Sequence, residues 1–242
     1  MPFVGFLPFR EKQMSSTTAY YDSTAAAYDA LHGIEPEHTV ALELSWPLLL
    51  QISSVLDVGC GTGRSLQWVN NTDPNVTLAG IEPSNGMLEL ARKSLPKASL
   101  TQGSGEHLPY DDDAFDVAIA TGIMHHVDDP TAVISEMFRV AKNAVIISDH
   151  NNYAFGSDLK RRIRLGLKAC GLQKIAAYVL QGFNHKGYSE EDGWWYPYSI
   201  FDNYGQIAAL SKSLVIMPTR RPQQDLGNIL YTQSHVVIVA LR

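Results

Sequence analysis

The sequence predicts an α/β fold: a doubly wound, mostly parallel seven-stranded sheet with an antiparallel C-terminal hairpin. Three observations predict it. From residue 54 to about 150, short β-branched apolar runs alternate with segments of helical periodicity. Those runs lack a strict polar–apolar alternation, as befits strands covered on both faces. A glycine-rich turn, "DVGCGTG" at 57–63, follows the first run without a gap. Repeated β-α-β units imply parallel pairing through right-handed crossovers.

Residues 1–16 read as a loosely ordered arm. "STTAYYDSTAAAYDALHG" (16–33) reads as a helix stopped by Gly33, with Tyr21, Ala25 and Tyr28 on one face. "PEHTVALELSWPLLLQ" (36–51) is a second helix broken at Pro47. The alternation supplies strands "SVLDVG", "VTLAGIEP", "ASLTQGS", "FDVAIATG" and "NAVIISDH". Helices "GRSLQWVNNT", "NGMLELARKSL" and "DPTAVISEMFRVAK" lie between them. After residue 150 the regularity ends. "GSDLKRRIRLGLKACGL" is helical, and an aromatic insert spans about 181–206. "KSLVIMPTR" and "SHVVIVALR" pair as an edge hairpin around the loop "PQQDLGN". The expected organisation is an N-terminal arm with helices contributing to a lid (1–50), a ligand-binding core (51–150), and a C-terminal part of the same domain (151–242).

Composition narrows the function. The 242 residues carry 45% apolar and 18% charged side chains, with 25 acids against 19 bases and a net charge of −6. Nucleic-acid binding normally leaves a basic footprint. Here Lys160, Arg161, Arg162 and Arg164 form the basic cluster, which reads as the solvated face of a helix. Cys60 and Cys170 offer neither a disulfide framework nor CxxC spacing, so a reducing cytoplasm is expected. The apolar start lacks the basic leader and cleavage site of a signal peptide. No stretch reaches the ~20 apolar residues of a membrane span.

Gly59, Gly61 and Gly63 differ in spacing from the dinucleotide fingerprint, whose last glycine stands one residue later. They permit a tight turn and let main chain approach a ligand. An acid just upstream, Asp57, would repel pyrophosphate but welcome a cationic amine; its plainer reading is a cap. Glu82 ends the second strand, where a carboxylate can accept both hydroxyls of a ribose. Ser104, Gly105 and Glu106 follow the third strand, and Thr121 and Gly122 end the fourth. Loops at the carboxyl ends of successive parallel strands share one crevice.

These residues resemble the class I S-adenosylmethionine-dependent methyltransferases, a Rossmann-like family, and most of all its small-molecule, quinone-biosynthesis-like branch. "VLDVGCGTG", "GIEPSNGML", "GSGEHLPYDDDAFDVA" and "IMHHVDDP" carry the resemblance, over about residues 50–150. It implies S-adenosyl-L-methionine as cofactor and S-adenosyl-L-homocysteine as product. Asp57, Gly59, Cys60 and Gly61 would line the methionine moiety, and Glu82 would hold the ribose. Pro83 and Met87 would pack near the adenine, and Ser104, Gly105 and Glu106 at its edge. Thr121 and Gly122 would border the cofactor. Ser104 stands where the family usually has an aspartate, which implies a weaker hold on the adenine amino group. Tyr21 and Tyr28 can close over the sulfonium by cation–π contact or simply pack their helix on the sheet. Cys60 is not expected to act as a nucleophile.

A hydroxyl acceptor must lose a proton, and histidine suits that task near neutrality. His125 and His126 follow the fourth strand. Asp149 and His150 end the fifth, where they can form a carboxylate-oriented base. Either pair is a candidate, although one ring of the first can simply cap the next helix. Asp149, His150 and Asp128 or Asp129 could ligate a metal, but their pattern is not that of divalent-metal methyltransferases, and no metal is expected. Trp194, Trp195, Tyr196 and Tyr198, flanked by Glu190, Glu191 and Asp192, are candidates for gripping a small-molecule acceptor. Their plainer reading is a cluster pinning the insert, or a homodimer contact. O-methylation is favoured. N-methylation and a cofactor-binding regulatory subunit without catalysis are the alternatives.

Overall fold

Two helices, α1 (Thr17–His32) and α2 (Pro36–Ser45), precede the first strand, β1 (Ser54–Val58), in a computed structural model. It describes residues 17–32, 36–180, 186–189, 193–220 and 228–242. The expected arm at 1–16, the stop at Gly33, the acids Glu190, Glu191 and Asp192, and most of the "PQQDLGN" loop lie outside the described residues. The alternation continues through α3 (Arg64–Thr72), β2 (Thr77–Glu82), α4 (Asn85–Ser94), β3 (Ser99–Gln102) and β4 (Phe115–Thr121). It closes with α5 (Pro130–Val140) and β5 (Ala141–His150). Next come α6 (Asp158–Ala169), α7 (Gln173–Leu180), and the short strands β6 (Gly187–Ser189) and β7 (Gly193–Trp195). The chain ends with α8 (Tyr204–Leu210), β8 (Ser213–Pro218), α9 (Ile229–Thr232) and β9 (His235–Leu241). The break expected at Pro47 is a single 3-10 turn, Trp46–Leu48.

One sheet of seven strands runs in the order β3-β2-β1-β4-β5-β9-β8. β3, β2, β1, β4 and β5 are parallel, and β9 and β8 are antiparallel additions. The late hairpin is thus present, with β9 inside the sheet and β8 at its edge. Strand order reverses between β1 and β4, and such a switch point opens a crevice at the carboxyl ends of the strands.

Both faces of the sheet are covered. Leu56, Ile81, Met137, Ile147 and Ile238 belong to one buried cluster. Val55, Leu66, Ile119, Ile146 and Val239 belong to another. Neighbours such as Val55 and Leu56 point to opposite faces, yet both are fully buried, which explains the unbroken apolar runs. No helix among the described residues is long and apolar enough to cross a membrane.

α1 is tied to the core by two contacts. Tyr20 is buried with its ring against Gly193, where a Cβ would lie 2.5 Å from Tyr20 Cδ1. Asp22 Oδ1 accepts from Ser84 Oγ at 2.6 Å and from Gly86 N at 3.0 Å, at the start of α4. Removing a carboxylate that caps backbone N–H groups costs about 1 kcal/mol. Asp22→Ala is therefore expected to speed proteolysis within α1 by roughly fivefold, with global unfolding little changed. Unchanged cleavage would show that the helix is held by other contacts.

Candidate active site

The turn after β1 is bare because its backbone requires it. Gly59 has φ 71° and Gly61 has φ 52°, a region costly for residues with a Cβ. A Cβ on Gly59 would lie 2.7 Å from Ile123 Cγ2, whereas the space beside Gly61 is open. Gly59 N and Cys60 N both donate to Ile81 O, at 2.8 and 3.0 Å. The turn is thereby held against the end of β2, next to Glu82.

Two acids are buried there. Asp57 is 1% exposed, and its Oδ1 has no hydrogen-bond partner among the described residues. Burial, then the neighbouring Glu82, pushes its carboxyl well above the usual range. Glu82 accepts from Ser84 N at 2.9 Å and Gly61 N at 3.1 Å. Burial raises its pKa and those two amides oppose the rise. A buried acid pair with an unpartnered oxygen fits a ligand that brings positive charge or hydroxyl donors, and disfavours a phosphate. Cys60 is different: burial, Asp57 and Glu82 push its thiol far up, away from the nucleophilic thiolate.

These groups border a cavity of about 490 Å³. Gly59, Cys60, Gly61 and Glu82 line one side, while Asp57, buried at the end of β1, is not among the lining residues. Pro83 and Met87 come from the start of α4, and Ser104, Gly105 and Glu106 from the loop after β3. The Ser104 hydroxyl donates to the Glu106 carboxylate. Thr121 and Gly122 close the β4 side, with Thr121 Oγ1 and Ser65 Oγ 2.8 Å apart. Tyr21 and Tyr28 reach the cavity from α1, their rings edge to face at 5.8 Å. Sequence reasoning missed Arg64, whose guanidinium stands 5.2 Å from the Tyr28 centroid. Its position immediately after Gly63 was the available signal. Lys186 and Asp128, paired at 3.0 Å, also reach the cavity.

The four candidate catalytic groups separate into two environments. His126 lines the cavity. Its Nδ1 stands 2.8 Å from the Trp194 carbonyl oxygen and its Nε2 stands 3.0 Å from the Tyr21 hydroxyl. A carbonyl can only accept, so Nδ1 bears a proton, and in the neutral ring the Nε2 lone pair faces the Tyr21 hydroxyl. Asp149 is fully buried and pairs with His125. Its Oδ1 accepts from His125 Nδ1 at 2.7 Å and from His150 N at 2.6 Å, and its Oδ2 accepts from Met124 N at 2.7 Å. Burial alone would raise this carboxyl, but the charges of His125 and His150, with hydrogen bonds from the His125 ring and the His150 amide, hold it well below the usual range. Asp149 thus joins His125 through its side chain and His150 through its amide.

His125, Asp149 and His150 offer donor atoms within 4.8 Å of one another. The two imidazoles stack at 4.3 Å with planes 29° apart. The His150 ring borders a second cavity, about 800 Å³, with His38, His235, Glu37 and Arg220. Glu37 and Arg220 pair at 2.9 Å. The two cavities meet at His38, whose Nε2 lies 2.5 Å from where a Cβ on Gly122 would stand.

Lys186 brings the insert to the first cavity, but the described rings of the insert do not line it. Trp194 supplies the carbonyl for His126, and its ring packs near Tyr188 at 5.2 Å. Trp195 covers Gly187 across the β6–β7 pair. The Tyr196 hydroxyl donates to Asp128, and its amide donates to His125 O at 2.7 Å. Tyr198 departs furthest from the expectation of an acceptor contact: it is 7% exposed within the main core cluster. A segment this irregular needs a core of its own, and these rings supply it.

Comparisons with known proteins follow the same outline. Residues 56–147 match the family described as "Methyltransferase domain". A yeast (Saccharomyces cerevisiae) tRNA (carboxymethyluridine(34)-5-O)-methyltransferase is 31% identical over 100 residues, covering 38% of this chain and 34% of that protein. A demethylmenaquinone methyltransferase of Renibacterium salmoninarum is 24% identical over 155 residues, 60% of this chain and 63% of that one. The chain thus spans about a third to under two thirds of these curated relatives. A solved SAM-dependent methyltransferase from Thermotoga maritima superposes with a TM-score of 0.59 at 18% identity, over 93% of this chain and 98% of that one. Residues 56–147 thus resemble a methyltransferase domain, and the fold around them resembles that of SAM-dependent methyltransferases. The relatives' named substrates differ, so they do not single out an acceptor.

His235 makes the second cavity sensitive to acid. Burial first, then the charges of His150, Arg220 and His38, lowers its pKa from 6.5 to about 3. The unfolded chain takes up this proton below about pH 6.5, whereas the folded one resists until about pH 3. Stability from this group is present above the higher value and lost as the pH falls toward the lower one. Urea denaturation of His235→Gln at neutral and mildly acidic pH is expected to show a shallower acid loss than the parent. An equal slope would remove His235 as the cause.

Proposed function

We propose that the chain moves the methyl group of S-adenosyl-L-methionine to a hydroxyl of a small-molecule acceptor and leaves S-adenosyl-L-homocysteine. The bound cofactor supplies a methyl on a positively charged sulfur. Asp57 and Glu82 supply the negative charge that receives this nucleoside, Asp57 toward its cationic end and Glu82 toward the ribose diol. Pro83 and Met87 flank the adenine, with Ser104, Gly105 and Glu106 at its edge. Gly59, Cys60 and Gly61 offer main chain, and Thr121 and Gly122 border the reacting centre. Tyr21 and Tyr28 close the cavity from α1 and exclude water.

The observation that carries O-methylation is the His126–Tyr21 pair. With the proton on Nδ1, Nε2 can accept one, and the Tyr21 hydroxyl stands within hydrogen-bond distance of it. As an acceptor hydroxyl gives its proton to the Tyr21 oxygen, the Tyr21 proton passes to Nε2. Transfer from a sulfonium otherwise needs mainly alignment of the two reactants. The −6 net charge favours a small acceptor over tRNA, and two free cysteines suit a reducing cytoplasm.

Two substitutions test separate halves of this reading. His126→Gln is expected to lower kcat about 100-fold or more, with S-adenosylhomocysteine affinity little changed. A loss of only a few-fold would instead indicate an acceptor amine that needs no base. Glu82→Ala is expected to weaken S-adenosylhomocysteine binding by about tenfold or more in calorimetry, as loss of hydrogen bonds to a charged group should. Unchanged affinity would remove Glu82 from the ribose.

A further inference from the structure

Sequence reasoning makes Lys160, Arg161, Arg162 and Arg164 a solvated helix face; Lys160 and Arg162 are exposed, but Arg161 and Arg164 turn to the body. Arg161 pairs with Asp158 at 3.6 Å and lies 5.6 Å from the Tyr231 ring centroid. Arg164 donates to Asn152 O at 3.1 Å and to Phe155 O at 2.5 Å. Lys168 pairs with Asp202 and lies 5.0 Å from the Tyr153 ring centroid. At about 100° per residue these three cations share one side of the helix, and that side faces the body.

The opposite side carries Leu159 and Ile163, 68% and 53% exposed, and α6 has no buried residue at all. In contact with it, α7 exposes Ile175 and Val179, and Leu172 just before it is exposed too. Half of the large exposed apolar side chains of the described residues therefore lie on this one helix pair. Contiguous patches of that kind mark an interaction surface, unlike single exposed residues.

The chemistry of the patch selects its occupant. It is aliphatic and lacks the tryptophan, tyrosine or buried arginine anchors of a protein–protein hot spot. Lys160 and Arg162 flank Leu159 and Ile163, one on each side, and both are exposed. An aliphatic ridge edged by long cations matches an interfacial helix, whose cations reach anionic headgroups while its apolar face enters the boundary. In a chain of net charge −6, this local positive edge stands out.

We propose that the outer face of α6 and α7 docks on an anionic lipid surface, with Leu159, Ile163, Leu172, Ile175 and Val179 entering it and Lys160 and Arg162 meeting its phosphates. The docking does not depend on the methyl-transfer reading. It would bring the cofactor domain to acceptors held at a membrane.

Flotation of the full chain with phosphatidylcholine vesicles, with and without phosphatidylglycerol, tests it. The protein is expected to float with the anionic vesicles alone, and added salt should weaken the binding. Leu159→Glu/Ile163→Glu and Lys160→Glu/Arg162→Glu should each reduce it by about tenfold or more, with thermal unfolding and S-adenosylhomocysteine binding unchanged. Cys170 is exposed and continues the Leu159–Ile163 side, while Cys60 is buried, so a polarity-sensitive label on Cys170 should shift to the blue on binding. Three results would overturn the proposal. These are no flotation, equal flotation with neutral vesicles, or a double glutamate variant that alters the oligomeric state in gel filtration without any vesicle binding by the parent.

Discussion

The interaction on which the rest depends is the burial of two carboxylates, Asp57 and Glu82, at the carboxyl end of the sheet. No cation is paired with either among the described residues. A buried, unpaired acid is costly, and a chain tolerates that cost where a ligand removes it. The glycine turn follows from the same constraint. Its main chain hydrogen-bonds to the end of β2 and gives Glu82 one of its two amides, and at Gly61 it leaves the ligand's space clear. A diphosphate would add negative charge to this pair, whereas a sulfonium nucleoside would offset it.

Around that centre the fold arranges two layers of support. α1 is fastened by Tyr20 against Gly193 and by Asp22 at the start of α4, which brings Tyr21 and Tyr28 over the cavity. β7 fastens the other wall, because the Trp194 carbonyl fixes the tautomer of His126. Behind His126, the Asp149–His125 pair is buried and rigid, and its amide contacts to Met124 and His150 bind the end of β4 to the end of β5. The arrangement separates a histidine facing the cofactor cavity from one that braces the loop.

Much of the core was legible because its signals are local. The apolar runs and the turn at Gly59–Gly63 fix strand positions through sterics and burial alone, and the parallel order follows from the crossovers between them. The antiparallel hairpin was legible as two β-branched runs, although only the sheet order shows β9 to be interior. What escaped the sequence depends on contacts between distant segments. Asp149 was read with its neighbour His150, yet it turns to His125, 24 residues away. Tyr198 reads as one ring among several in the insert, but only tertiary packing could show that it joins the core. Arg161 and Arg164 read as solvated together with Lys160 and Arg162, because sequence alone does not say which side of a helix meets the body.

The most direct test of the central claim is calorimetry of S-adenosylmethionine binding in buffers of differing ionisation enthalpy. Burial raises the proton affinity of Asp57 and Glu82, so an incoming cation should expel a proton. The account predicts net proton release on binding, sharply reduced in Asp57→Asn, and no comparable binding of NAD. Binding without proton release, or preferential binding of NAD, would contradict it.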